Sequence, residues 1–536
     1  MIANRWRTPA VKGKSFTNPY ADCTEFVLAD IHPVERLGLI VSKLCCCIQK
    51  SLPQMRCCGK PSTTGMSVLC VLMVCASVLS PRTVTAKDFR IDPTTDFKSI
   101  VKQVAAGDSL VLENGVWNDV ELAFDQLPGT LESVIQIRAE SPGQVVLTGK
   151  TQLRFSGQHV VVSGLVFRDN NVSDVVQLRS HSQRHAHHCR VTDCSFVQAE
   201  DSDDGRESRW LNVYGTHNRV DHCYFAGKKS RGTTLVVWVS DVAGDHRIDH
   251  NHFGPRPELG RNGGETIRIG TSDVSELVCR TVVEDNYFHQ CNGEAEIVSN
   301  KSCENIYRRN VFDECRGALT LRHGHRCIVE ENLFLGKKSG GTGGVRIIGE
   351  GHTVINNYFE GLRGDAERAA LSMMNGIPDS PLHEYAPVRD ATVAHNTFID
   401  CKVSMEFGVG AGKTQSVAPA DCRIINNAFL PDKWPLFRVQ AKPENFVWDG
   451  NRVQQGRANE DQLVKITECD LTLKRASDGL MRPTLSDVVR IDSVSIVDRD
   501  IDGNSRGKNP AVGCDEPGQI SRTWPNALNT GPDAKR

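Results

Sequence analysis

Glu294 and Glu296 stand two residues apart in the segment CNGEAEIVSNK. In an extended strand such a pair projects both carboxylates to one side. Asn262, in the glycine-rich turn RNGGE, and Glu265 beside it add two further oxygen donors within reach of the same point. Carboxylate and carboxamide oxygens suit a hard cation, and calcium takes about 6–8 of them, accepting water or ligand for the remainder. The same spacing permits a second reading, in which the glutamates only pair with Arg268 and Arg322 as an ion-pair ladder on a surface. Lys301 follows Glu296 by five positions, and Arg322 and Arg346 come later at intervals that return them to the same neighbourhood if the chain is a stack of coils.

The elements that would position these groups are short strands, TIRI (266–269), EAEI (294–297), LTLR (319–322) and VRII (345–348). Alternation sends Ile267, Ala295, Ile297, Leu321, Val345 and Ile347 inward and leaves Arg268, Glu294, Glu296, Thr320, Arg322 and Arg346 outward. Stacking then lines the charges up in a groove. A second pattern explains the stacking: an apolar or β-branched residue, polar residues, Asn or Cys, one residue, Phe. It recurs nine times, as VTDCSF, VDHCYF, IDHNHF, VEDNYF, YRRNVF, VEENLF, INNYF, VAHNTF and INNAF. Successive copies are separated by as few as 22 residues (Asn310 to Asn332) and as many as 39 (Asn357 to Asn396). That is the period of an all-β solenoid, a single-stranded parallel β-helix with loops of variable length. Phe residues are expected to pile up inside it, and Asn residues to bond the backbone at each turn and tolerate its dihedrals.

The 63 Lys and Arg nearly balance 65 Asp and Glu, so no global field draws in nucleic acid or a membrane, and a charged ligand must meet a local cluster. Cys279, Cys291, Cys303, Cys315 and Cys327 recur every 12 residues, which places alternate cysteines in interior columns as small hydrophobes. Disulfides remain the alternative. No CxxC pair suggests zinc. In QRHAHH (183–188) a metal site competes with a solvated turn.

Ser67–Leu79 is an uncharged apolar run, preceded by Arg56 and Lys60 and followed by Val84-Thr85-Ala86. It is short for a membrane span and reads as an export signal over 55–86, which implies a secreted or periplasmic protein. An anchor or a buried apolar segment is the other reading. Residues 1–54 are then an extension or a mis-assigned start, 87–522 the solenoid, and 523–536 a polar tail.

The segments NGGETIRIG (262–270), NGEAEIVSNKS (292–302), NIYRRNVF (305–312), GALTLRHG (317–324) and NGIPDSPLHEY (375–385) resemble polysaccharide lyase family 6, the alginate lyases and chondroitinase B. The resemblance covers most of residues 88–516. It implies a right-handed parallel β-helix that cleaves an acidic polysaccharide by β-elimination. By position it implies Asn262, Glu294 and Glu296 as Ca2+ ligands, with Glu265 a candidate fourth, Lys301 as Brønsted base and Arg322 as Brønsted acid. A lysine must be neutral to act as base, and nearby cations favour that form. A guanidinium holds its proton to above about pH 12, so Arg322 suits electrostatic stabilisation of the leaving oxygen better than proton delivery. Arg268, Arg346, His323, Tyr385 and Lys228 are candidate substrate contacts.

Two other functions keep the fold. A glycoside hydrolase needs two carboxylates free to exchange protons across the scissile bond. A non-catalytic glycan-binding solenoid has no reason to set Lys301 beside a carboxylate pair. Between alginate and dermatan sulfate, the absence of Arg and Lys from 375–388 favours alginate, since sulfates usually attract extra cations.

Overall fold

The computed structural model describes residues 86–199, 206–456, 466–491 and 496–534. The expected export signal and the extension before it lie outside these, apart from Ala86.

Three largely parallel sheets of 14 strands form the faces of a right-handed β-helix, most coils giving one strand to each sheet in turn, with one antiparallel pair, Arg179–His181 and Arg184–His187, at an edge. A one-turn helix, Phe97–Val101, packs at the N-terminal end, where Asp96 caps it and Phe97 meets Phe124 edge-on. Ten phenylalanines from Phe167 to Phe429 stack as one interior ladder, with neighbouring ring centroids 4.6–5.0 Å apart. The parallel rings follow from strand spacing, which sets one aromatic on the next every coil.

Beside the phenylalanines runs an asparagine ladder. Asn286, Asn310, Asn332 and Asn357 are fully buried, and each accepts through Oδ1 from the backbone N–H of the asparagine one coil earlier. Each Nδ2 donates to an earlier coil's carbonyl, as Asn310 does to Val283 at 2.9 Å. The left-handed backbone sits one residue earlier than expected, at Asp285, Arg309, Glu331 and Asn356, with φ between 53° and 56°. The asparagine closes the turn by hydrogen bonding, and the polar residue before it, half-buried at Asp285, Arg309 and Glu331 and buried at Asn356, takes the strained dihedral.

All twelve cysteines of the described residues are free and all but Cys469 are buried. Cys315 Sγ accepts from the Cys291 N–H at 3.4 Å, which is the interior column read from the spacing.

The C-terminal segment packs against the solenoid. Ile501, Cys514 and Trp524 pack on Val311, Leu333 and Tyr358, so the chain runs back along the outside of one sheet. The Gly531 N–H donates to the His250 carbonyl.

Eight consecutive strands of one sheet carry the groove: β1 (Arg209–Val213), β2 (Leu235–Val237), β3 (Ile267–Ile269), β4 (Glu296–Lys301), β5 (Ala318–His323), β6 (Val345–Ile347), β7 (Leu371–Met374) and β8 (Met405–Val409).

Candidate active site

A cleft runs along the outer face of β3–β6, reaches Met374 on β7 and Val409 on β8, and is lined in its centre by Asn262, Glu265, Arg268, Glu294, Glu296, Lys301, Arg322, His323, Arg346 and Tyr385. The sequence therefore picked out ten residues that meet in one place. Their register is not the one that aligned EAEI with TIRI. Arg268 pairs with Ser299, which pairs with Thr320, which pairs with Arg346. Two irregularities flank that run, one between Glu296 and Val298 and one between Asn300 and Lys301. Bulges bend a strand and re-aim side chains. Here they turn Glu296 toward the cleft, leave Ala295 lining it rather than facing inward, and bring Lys301 opposite His323.

Among the described residues the Lys301 ammonium has no hydrogen bond or ion pair, and it faces the cleft. The strand beneath it fits only because residue 270 is glycine. Gly270 has φ 84°, and a Cβ there would lie 2.4 Å from the Lys301 carbonyl oxygen.

Glu296 Oε1 lies 3.5 Å from Arg346 Nη1 and 3.7 Å from Arg322 Nε, and Oε2 accepts from Ser299 Oγ at 2.6 Å. The ion-pair reading thus holds for Glu296, with Arg346 in place of Arg268. It does not extend to Glu294 or Glu265, neither of which has an ion-pair partner among the described residues. Glu294 Oε2 accepts from the Gly263 N–H at 3.0 Å. Burial, followed by repulsion from Glu265 and Glu296, pushes its carboxyl up to about 7.

Crowded carboxylates without counter-ions, joined by the Asn262 carboxamide, fit a hard divalent cation in donor type. Among the described residues, no group of three or more His, Cys, Asp or Glu side chains is set closely enough to hold a metal ion. The fit is one of donor chemistry, with the carboxamide, backbone oxygens and water or substrate left to complete any coordination.

Arg322 is held from three sides. Its Nη1 donates to the Glu384 carbonyl at 2.9 Å, Nη2 lies 3.4 Å from the His383 carbonyl, and the guanidinium sits 4.2 Å above the Tyr385 ring. Burial lowers its pKa, with Arg346 adding to the effect. His323 does not turn into the core. It is buried on the cleft side, with Nε2 3.2 Å from Ser272 Oγ and Nδ1 3.4 Å from Arg322 Nη1. Burial, then Arg322 and Lys301, push the imidazole down to about 3, so it is neutral at any working pH.

Arg268 makes no hydrogen bond or ion pair among the described residues, and its guanidinium packs 5.6 Å from the Trp238 ring. Arg346 Nη2 reaches the Tyr385 hydroxyl at 3.3 Å.

Lys228, expected at the groove, lies elsewhere. It is 1% exposed and donates to the Ser230 hydroxyl at 2.7 Å and the Ser230 carbonyl at 2.9 Å, tying down its own loop. The histidines of 183–188 also separate. His185 stacks on Tyr214, His187 meets Thr216 Oγ1, and His188 lies between His159 and His217.

Sequence reasoning missed Ser272, Ser299 and the two carbonyls that hold Arg322. Ser299 was recoverable from the correct register. The carbonyls had no side-chain signal to find.

The sequence profile of the chondroitinase B family matches residues 91–492. The chain belongs to polysaccharide lyase family 6. Among solved structures of this family, the alginate lyase AlyGC is 38% identical with a TM-score of 0.71, over 74% of this chain and 55% of that one. The chain thus spans about half the length of AlyGC. A mannuronic acid specific family 6 lyase from human gut microbiota is 31% identical with a TM-score of 0.62, over 72% of this chain and 91% of that one. No curated protein matches the chain.

Proposed function

We propose that the protein is a polysaccharide lyase that cleaves a uronate polymer, most specifically mannuronate-rich alginate, by β-elimination. The observation that carries this reading is the unpartnered Lys301 ammonium facing a cleft walled by Arg322, His323 and Arg346. In its neutral form Lys301 takes the C5 proton of a uronate. The electron pair forms the C4–C5 double bond, and the C4–O bond breaks. The leaving oxygen gains a proton from solvent, with Arg322 stabilising its charge, and no water is added across the bond.

The proton at C5 is weakly acidic, so the reaction depends on stabilising charge that develops on the adjacent carboxylate. Arg268 and Arg346 supply donors suited to bidentate carboxylate binding. Asn262, Glu294 and Glu296, with Glu265, would hold calcium, which when bound would neutralise charge on the substrate carboxylate. Neutral His323 orients Arg322 and adds no charge of its own.

The lack of Arg and Lys in 375–388 and the mannuronate specificity in the name of the gut relative support alginate. The match to the chondroitinase B profile makes dermatan sulfate the second substrate to test. Export by the segment 55–86 would bring the enzyme to such a polymer outside the cell.

The test is ultraviolet absorbance of the unsaturated product after incubation with alginate, its mannuronate and guluronate blocks, and dermatan sulfate, with and without a chelator. Absorbance is expected to rise fastest on mannuronate blocks and to fall with chelation. Flat traces on all four substrates would refute the lyase reading.

A further inference from the structure

The two ends of the cleft are built differently. One outward column runs through the whole site. Val213 aligns with Val237, Ile269 and Asn300 across β1–β4, so the next residues, Tyr214, Trp238, Gly270 and Lys301, succeed one another toward the proposed base. On the far side, Ile347 aligns with Met373, and Met374 with Val409, so the column continues through Ile348, Met374 and Val409.

On the N-terminal side of Lys301 the column is polar and aromatic. Trp238 is half-buried and flanked by Arg209 and Arg268, both 5.6 Å from its ring. Arg268 is free to meet a carboxylate. Glu207, Arg231 and Thr233 also line this part of the wall.

Beyond Arg346 the column is apolar and covered. Ile348, Met374 and Val409 are 0%, 4% and 3% exposed, because Ala366, Tyr385 and Ala386 pack on them from two loops. The first loop is pinned down from below. Glu406, the outward residue of β8 and 3% exposed, accepts from the Ala366 N–H at 2.8 Å and from Gln440 Nε2 at 2.7 Å. Two cations of this end are already engaged, Lys402 at 2.7 Å and Arg438 at 3.4 Å from Asp365. Glu367 lines the cleft here and has no ion pair among the described residues. A polyanion that continued past Arg346 would meet packed loops and carboxylates.

We infer that the cleft is one-ended: the polymer lies along the coils N-terminal to Lys301, one chain terminus abuts the Ala366–Tyr385–Val409 plug, and cleavage therefore releases short saccharides from that terminus. From Lys301 to Met374, the nearest residue of this covered end that lines the cleft, is three coils, roughly 14 Å at strand spacing, which leaves room for up to a trisaccharide beyond the scissile bond. The inference rests on the lyase reading above and adds where along the polymer it acts.

The full chain is incubated with polymeric alginate, and product sizes are separated from the earliest time points while viscosity and ultraviolet absorbance are followed together. Mono- to trisaccharides from the start, with viscosity lagging behind absorbance, are the expected result. Unsaturated products that begin as long oligosaccharides with an early collapse of viscosity would overturn this inference alone. No unsaturated product from any polyuronate would overturn the lyase reading and this inference with it. Glu406→Ala releases the first loop and should give a severalfold rise in longer products. Unchanged product sizes in a folded Glu406→Ala protein would argue against the plug, and if that variant does not fold, the wild-type sizes decide.

Discussion

Arg322→Lys keeps the positive charge of the cleft and removes the geometry that places it. The native guanidinium uses Nη1 on the Glu384 carbonyl at 2.9 Å, Nη2 near the His383 carbonyl at 3.4 Å and its face on Tyr385 at 4.2 Å, while Nε stays 3.7 Å from Glu296. An ammonium on a flexible stem cannot serve all four directions at once. A hydrogen bond to a charged group is worth about 1.5–3 kcal/mol, and a partly desolvated cation–π contact about 1–2 kcal/mol. Loss of about 2–4 kcal/mol of placement in the transition state lowers the rate by roughly 30-fold to 1000-fold. Because Arg322 is assigned to charge that develops as the bond breaks, the loss should fall on kcat and kcat/KM together, with KM little changed. Initial rates of absorbance increase on mannuronate blocks, over a range of substrate concentrations, measure both. A variant within threefold of wild type would refute the assignment, and a loss confined to KM would make Arg322 a ground-state binding group instead.

Phe312→Ala opens the ladder between Phe288 and Phe334, whose centroids are 4.6 and 4.8 Å away. It should cost about 3–5 kcal/mol, read as a lower urea midpoint. Asp515 is pushed up to about 7 by burial, with Asp500 adding to the effect against the opposing pull of Arg482. An unfolded aspartate ionises near 3.9, so the folded state binds more protons between about pH 4 and pH 7, and this residue's contribution makes stability fall as pH rises through that window. Asp515→Asn should remove that part of the slope in urea midpoints measured across the window. Calcium that binds only the folded chain should raise Tm in a concentration-dependent way, and Glu294→Gln should abolish most of the rise in differential scanning fluorimetry.

The solenoid was legible because its core repeats in type as well as in place. A Phe every coil and an Asn two residues before it can be read without knowing the register. The cleft was legible in its membership, since Glu294, Glu296, Arg322 and Arg346 are charged residues among the apolar residues of EAEI, LTLR and VRII, while Lys301, between Asn300 and Ser302, was assigned through the family resemblance. Its register was not. The strand runs over Glu296–Lys301 and not over 294–297, a shift of three residues against TIRI, so Glu296 was set beside Arg268 where Ser299 stands. Strict alternation would turn His323 inward, and the irregularity at Asn300 and Lys301, which leaves no mark in residue type, turns it to the cleft. Lys228 misled because a lysine among Gly, Ser and Thr looks solvated, whereas its ammonium is satisfied by its own loop. Backbone carbonyls at His383 and Glu384 belong to the fold and not to any side chain, so no reading of types could assign them to Arg322.

The most direct measurement is the rate of unsaturated-product formation from polymannuronate by Lys301→Ala, set against wild type, with both proteins shown to have the same urea midpoint. Loss of at least about 1000-fold, in line with the removal of a general base and its positioning, is the predicted result. A folded Lys301→Ala protein that retains the wild-type rate would contradict the assignment of Lys301 as the base.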